Sequence, residues 1–263
     1  MPKVDFKKIE KMAGLGKADL HVHLVNNTPE QFLDYIENKT DLDVVAVTGH
    51  DNILDALSVQ KIAQQNQSKV DIIVGEEITT KEGHILGLFL KKLIIPDMSV
   101  KETIDAIHEQ GGIAIAAHPF QAMPFRRPGV VLMDGIGLKS LMKNGKYLDG
   151  IEVVNATPTL KDENLMAGLI NRTYLLKAET GSSDAHILEA IGRGYTVFKG
   201  KNAQELRKAI ELRQTQAIYG GWSFYILLKY FFFFVPEAWR IAMYNLIQVF
   251  KGKKSEKKKR FHS

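Results

Sequence analysis

ADLHVHLVNNTPEQFLDYIENKTDLDVVAVTGH, residues 18–50, contains a strand, a turn, a helix and a second strand in that order. DLHVH (19–23) and DVVAVTGH (43–50) are short, β-branched apolar runs that read as buried strands. PEQFLDYIENKT between them has helical spacing, with Thr28 placed to cap its amino end. The same alternation continues outward. Further strand-like runs are VDIIVGEEI (70–78), HILGLFL (84–90), GIAIAAH (112–118), GIEVVN (150–155) and GYTVF (194–198). Helical stretches accompany them: ILDALSVQKIAQQN, SVKETIDAIHEQ with Ser99 as its cap and Gly111-Gly112 as its stop, KDENLMAGLINR, and NAQELRKAIELRQTQ (202–216), which reads as one amphipathic helix. Strand followed by helix, repeated, predicts an α/β fold with a largely parallel sheet and helices outside it, either open and doubly wound or closed into a barrel.

The histidines carry the chemistry. Six of the eight lie at the ends of these strands or in the turns after them: His21, His23, His50, His84, His118 and His186. Glu77 closes VDIIVGE and Asp184 follows YLLKAETGSS. Catalytic groups of parallel α/β architectures gather at the carboxyl ends of strands. Residues i and i+2 of a strand face the same side, so His21 with His23, and Asp184 with His186, are each spaced to grip one cation. The chain has no cysteine, which excludes disulfides, thiolate metal sites and a cysteine nucleophile. Imidazole and carboxylate donors suit Zn, Mn or Fe. His108, inside a helical pattern, and His262, near the chain end, read as ordinary surface histidines.

ADLHVHL, AVTGHDN, VGEEITTKEGHILGL, AIAAHPF, DGIEVVN and GSSDAHILEAIGRGYTVF together resemble, in order and spacing, the motifs of the PHP family, named for polymerase and histidinol phosphatase. The resemblance spans about residues 17–200. It implies a distorted, seven-stranded, TIM-like β/α barrel holding two or three divalent ions and hydrolysing phosphate esters or, in polymerase-associated members, acting on DNA. Carried over by position, it implies a first site of His21, His23, Glu77 and Asp184, a second of Glu77, His84 and His118, and a third of His50 and His186. Two departures weaken the third: LVNNTPE after His23 lacks the Asp or His common there, and Thr48-Gly49-His50 stands where TDH is usual. Metal-bound hydroxide is the nucleophile this implies. His50 or His186 is the candidate for leaving-group protonation, Arg193 and the Arg126-Arg127 pair for phosphate contacts, and Glu152 for support behind the ligands.

The domain reading is an extension (1–16), a catalytic domain (17–220), an apolar aromatic segment (221–250) and a polybasic tail (251–263). Of the net charge of +5, the tail's seven Lys/Arg and one Glu supply +6, leaving the other 250 residues at −1. The folded body is therefore not a basic nucleic-acid surface, which argues against the rival nuclease reading. WSFYILLKYFFFFV (222–235) is too apolar for an exposed face and short of the roughly 20 residues a bilayer span needs. Interfacial helices, a transmembrane hairpin or span, and an extra layer on the barrel are its competing readings. The adjacent lysines favour the first, through attraction to anionic lipid. With no signal-peptide pattern at the start, the expectation is a cytoplasmic enzyme, peripheral at the inner membrane face, acting on a phosphorylated small-molecule or lipid-linked substrate. A non-catalytic metal sensor is the remaining rival.

Overall fold

The computed structural model describes residues 14–121, 135–233 and 235. The chain divides into two units, Met1–Gly221 and Trp222–Ser263. The first is a mixed α/β fold whose sheet curls into a nearly closed barrel. Among the described residues its nine strands are β1 (Leu15–Val22), β2 (Val44–Val47), β3 (Asp71–Thr79), β4 (His84–Leu88), β5 (Ile113–Ala116), β6 (Gly150–Asn155), β7 (Ala178–Ser182), β8 (Gly194–Lys199) and β9 (Thr215–Tyr219). They pair in the order β7-β6-β5-β4-β3-β2-β1-β8-β9. The helices are α1 (Pro29–Lys39), α2 (Leu54–Gln65), α3 (Val100–Glu109), α4 (Gly137–Asn144), α5 (Lys161–Ile170) and α6 (Ala203–Glu211).

Local chemistry accounts for the element boundaries. Thr28 and Ser99 each accept a hydrogen bond from the backbone of the third helical residue, whose own side chain, Gln31 or Glu102, returns one to the cap. Both helices turn apolar residues inward: Phe32, Leu33 and Ile36 of α1, and Val100, Ile104 and Ile107 of α3. The strands fill the interior with Leu20, Val44, Ala46, Ile73, Leu86, Leu88, Ile115 and Phe198.

The sheet is less parallel than the alternation implies. β1, β2 and β3 are parallel neighbours, as are β5, β6 and β7, but β4 is antiparallel to both β3 and β5. Only a tight turn separates Thr79 from His84, too short for the crossover that parallel strands need. β8 and β9 are antiparallel additions beside β1, which makes nine strands where the family resemblance implies seven. Three further differences are local. NAQELRKAIELRQTQ is helical only to Glu211; Arg213 takes a left-handed turn at φ 58° and the chain becomes β9. KDENLMAGLINR ends in a π-helical turn at Asn171–Leu175, and α4 has no counterpart in the sequence reading.

Closure is secured where β7 meets the far end of the sheet. Thr196 Oγ1 accepts from Gly181 N at 2.9 Å and donates to Gly181 O at 2.9 Å, while Thr215 Oγ1 donates to Glu179 O at 2.8 Å. A Cβ on Gly181 would lie 2.5 Å from Tyr195 O, and one on Gly194 would collide with Ser182 O, so this seam requires glycine on both sides.

In the second unit, residues 224–233 are helical, with Phe224, Tyr225, Phe231 and Phe232 exposed and Trp222 edge-on to Tyr230 at 5.0 Å. Among the described residues, no helix is long and apolar enough to cross a membrane. The extension up to residue 13 and the polybasic tail lie outside the described residues, as does Arg126-Arg127.

Candidate metal centre

The carboxyl ends of the strands bring the acids and imidazoles to one mouth of the barrel. His21 and His23 leave β1 on the interior face. His50 follows β2, and its turn is stapled to β3: Asp51 N donates to Glu77 O, Glu77 N to Gly49 O, and Thr79 N to Asp51 Oδ1 at 2.8 Å. Glu77 lies near the end of β3. His84 opens β4, and because β4 is antiparallel its amino end sits beside the carboxyl end of β3. His118 and Asp184 each lie two residues beyond β5 and β7, at φ 25° and 52°. Left-handed backbone at two non-glycine residues is a strain of about 1–3 kcal/mol each that the surrounding bonds must hold. It aims both side chains inward.

Glu77 is the hub. Its Oε1 lies 2.8 Å from His84 Nδ1 and 3.0 Å from His118 Nε2, and its Oε2 lies 3.0 Å from His50 Nδ1 and 3.1 Å from His21 Nε2. Asp184 Oδ1 stands 3.2 Å from His23 Nε2 and 3.5 Å from His21 Nε2. Four three-residue sets place one ligand atom each within 4.8 Å of the others: His21, His23 and Asp184; His21, Glu77 and His118; His50, Glu77 and His84; and His23, His50 and His186. All eight candidate ligands read from the sequence meet here. Their grouping differs from the expected division, because His50 also faces Glu77 and His23 joins His50 and His186 in an all-imidazole cluster, with ring centroids 4.7 and 4.2 Å from His23. His50 and His186 are the more accessible members; the others are buried.

The donor set fits a divalent cation. His21 Nε2 and Glu77 Oε2 are both buried and, although 3.1 Å apart, form no well-aligned hydrogen bond with any described residue. Two buried polar atoms aimed at one small space without a partner carry a cost that a shared cation removes.

Protons and metals compete for these groups. Burial would lower His21, but the Asp184, Glu77 and Glu152 carboxylates hold it well above the usual histidine range. The Glu77 carboxylate raises His50 to about 9. Burial would lower His118 too, but its hydrogen bond to Glu77 and the Glu77 and Asp184 charges outweigh that and raise it. Burial with the neighbouring His186 drops His23 to about 3. Glu77 and Asp184 are held well below their usual values because the imidazoles around them outweigh burial. The metal-free protein therefore favours protons on His21, His50 and His118, and a metal must displace them. Apparent metal affinity should rise as pH increases from 6 toward 9, by about tenfold per unit for each proton released. Calorimetry in buffers of different ionisation enthalpy measures that release; a pH-independent affinity would contradict it.

A supporting layer lies behind the ligands. Glu152, fully buried on β6, sets Oε1 3.2 Å from His21 Nδ1 and accepts at Oε2 from His118 N at 2.7 Å and from Asn155 Nδ2 at 3.1 Å. Asn155 Nδ2 also reaches Asp184 Oδ2 at 3.1 Å. Asp19 accepts from Ser183 N at 2.9 Å and Gly192 N at 2.8 Å, tying β1 to the turn that carries Asp184; burial pushes its carboxyl up to about 6. The sequence reading noted Glu152 and missed Asp19 and Asn155. Asp19 lies two residues before His21 on the same strand face, which is a legible signal; Asn155 faces inward only because an irregularity between Glu152 and Val154 shifts the alternation of β6. Arg193 Nε bonds Glu189 O at 3.3 Å, within its own turn. His108 pairs with Asp149 at 2.8 Å on the outer surface.

A family model described as PHP-associated matches residues 164–215. Uncharacterized protein MJ1587 of Methanocaldococcus jannaschii is 34% identical over 154 residues, covering 53% of this chain and 82% of that protein. A two-domain protein of Bacteroides vulgatus containing a predicted PHP-like metal-dependent phosphoesterase superposes with a TM-score of 0.60 at 20% identity, over 78% of this chain and 65% of that one. The chain thus spans less than two thirds of that structure. An amidohydrolase of Chromobacterium violaceum with bound sulfate and no metal has a TM-score of 0.52 at 15% identity, covering 78% of this chain and 98% of its own. With its motifs in order, its ligand set gathered at the barrel mouth, and these matches, the chain belongs to the PHP family.

Proposed function

We propose that the protein is a metal-dependent hydrolase of phosphate esters. One observation carries the reading: a single buried carboxylate, Glu77, is approached by four imidazoles within 3.1 Å, with Asp184 Oδ1 3.5 Å from the same His21 Nε2 that faces Glu77. Such a set can hold two or three divalent ions, with Mn, Zn and Fe the candidates. Divalent ions held by these residues would lower the pKa of bound water and offset charge on the phosphoryl oxygens. The chain's own residues do the rest. Glu152 holds the His21 Nδ1 proton so that Nε2 faces the ions, and Asn155 occupies Asp184 Oδ2 so that Oδ1 does. His50 and His186, at the open side of the cluster, are placed to protonate the leaving group. Arg193 and Arg126-Arg127 are the arginines assigned to the phosphate.

The test is phosphate or nitrophenol release from p-nitrophenyl phosphate and its bis ester, with Mn²⁺ or Zn²⁺ added to metal-stripped protein. Turnover should need metal and vanish in His21→Ala. Bound metal without turnover on either ester would favour the sensor reading, and preferential cutting of DNA the nuclease.

We also assign residues 222–263 to an anionic membrane surface at the cytoplasmic face. Exposed aromatics at 224–232 beside the lysine-rich end support this, since apolar insertion and charge attraction together hold more firmly than either alone. Sedimentation with phosphatidylglycerol vesicles should weaken with salt and fail when 251–263 are deleted.

A further inference from the structure

Outside the barrel wall lies a cavity of about 590 Å³, bounded by Val153 and Val154 of β6, Pro158 in the turn after it, Leu165 and Gly168 of α5, and Tyr219 at the end of β9. Its lip keeps large apolar groups in water: Leu165 is 67% exposed and Tyr219 53%. Exposed apolar clusters of this kind mark binding surfaces more often than chance.

The cavity adjoins the metal centre. Asn155, whose Nδ2 holds Asp184 Oδ2, bonds through its backbone to Asn164, with Asn155 N donating at 3.0 Å and Asn164 Nδ2 returning a bond to Asn155 O at 2.7 Å. Its Oδ1 accepts from Thr157 N at 2.9 Å. Asn164 and Thr157 both line the cavity, so a single residue stands between the ligand Asp184 and the cavity wall. The cavity is not itself an anion pocket. Arg172, its exposed cation, is held by Glu179 through bonds of 2.6 and 2.8 Å, and Lys161 is followed by the acidic Asp162 and Glu163. Negative charge belongs at the metal centre, and uncharged apolar bulk belongs here.

We propose that this cavity takes the hydrocarbon portion of an amphiphilic phosphate ester whose phosphate sits at the metal centre, the chain passing over the Thr157–Pro158 rim. The inference rests on the phosphoesterase reading and narrows its substrate class to lipid-like phosphate esters. Gly168 is the point of control: a Cβ there meets only Arg172, at 3.7 Å, so a larger side chain can grow into the space without striking backbone.

The experiment uses the full chain loaded with Mn²⁺ and the series butyl, hexyl, octyl and decyl phosphate below micelle-forming concentrations. Calorimetry gives affinity, and phosphate release gives kcat/KM. Both should improve about two- to fourfold per added methylene until the cavity is filled. Gly168→Leu, which occludes the space, and Leu165→Asp, at an exposed site that tolerates charge, should each flatten the series, with a loss that is smallest for butyl phosphate and grows with chain length. A flat series in the unaltered protein overturns the proposal, as does a slope that persists in both variants, which would seat the chain elsewhere, for example on residues 222–235. Chain-length-dependent binding that the variants abolish, with no phosphate released from any ester, would support the cavity's role and retire the hydrolytic reading, so the two ideas fail separately.

Discussion

Replacing Glu77 by glutamine is expected to strip the protein of most of its metal and lower phosphoester turnover by about a thousandfold or more. The size of the effect follows from how many groups depend on one side chain. Its two oxygens serve two of the four ligand sets and face four imidazoles. Glutamine keeps the shape but removes the negative charge and turns an N–H₂ toward nitrogen lone pairs or a cation. Metal stabilisation of developing charge is worth several kcal/mol, and each 1.36 kcal/mol is about tenfold in rate. Metal analysis should find fewer ions per chain than in the unaltered protein. A second readout needs no turnover: in the metal-free protein His50 is raised to about 9 chiefly by Glu77, so in the variant its titration, followed by NMR, should fall toward the ordinary histidine range. Full metal content with near-normal turnover in Glu77→Gln would sink the assignment of Glu77 as a ligand common to two of the sets.

Glu152→Ala should have the second largest effect, and its signature should be stability as much as chemistry. The Glu152 carboxylate is fully buried and its partners are the His21 ring, the His118 backbone N–H and the Asn155 amide. Truncation leaves the His21 ring and the His118 N–H without this acceptor in a buried space, while Asn155 keeps its bond to Asp184, a loss of about 3 kcal/mol. For a chain of this size that is a drop in Tm on the order of 10 °C. His21 also loses the acceptor that fixes its tautomer, and loss of such outer partners typically weakens metal affinity by about 10- to 100-fold. Glu152→Gln separates the contributions. It can still accept from His118 N, so most stability should return, but with no charge to hold the His21 Nδ1 proton the metal affinity should recover only in part. Thermal melts with metal titrations of the two variants decide the matter, and equal behaviour of alanine and glutamine would show that the charge is irrelevant.

Much of this molecule was legible from local patterns. The period-two spacing of His21 and His23 needs only the geometry of one strand, and the capping boxes at Thr28/Gln31 and Ser99/Glu102 lie within four residues. β9 was hidden for the opposite reason. TQAIY is partly exposed along its length and so shows no alternation of buried and exposed residues; it is a strand because β8 offers it a partner. The reading of residues 202–216 as one helix failed at that point, since an amphipathic pattern carries no mark of where a distant strand will claim the chain.

The metal centre divides along the same line. Residue types and strand-end positions identified all eight candidate ligands before any fold was available. How they combine was not legible: His23 and Asp184 are 161 residues apart, and Glu77 reaches His118 across 41. Those meetings depend on the reversed direction of β4, on closure at Gly181 and Gly194, and on left-handed backbone at His118 and Asp184. Sequence alone determined which groups stand at the strand ends, because strand periodicity and capping act over a few residues. Only the tertiary structure decided which atoms share a site, because that follows from barrel closure, a property of the whole sheet that no short segment contains.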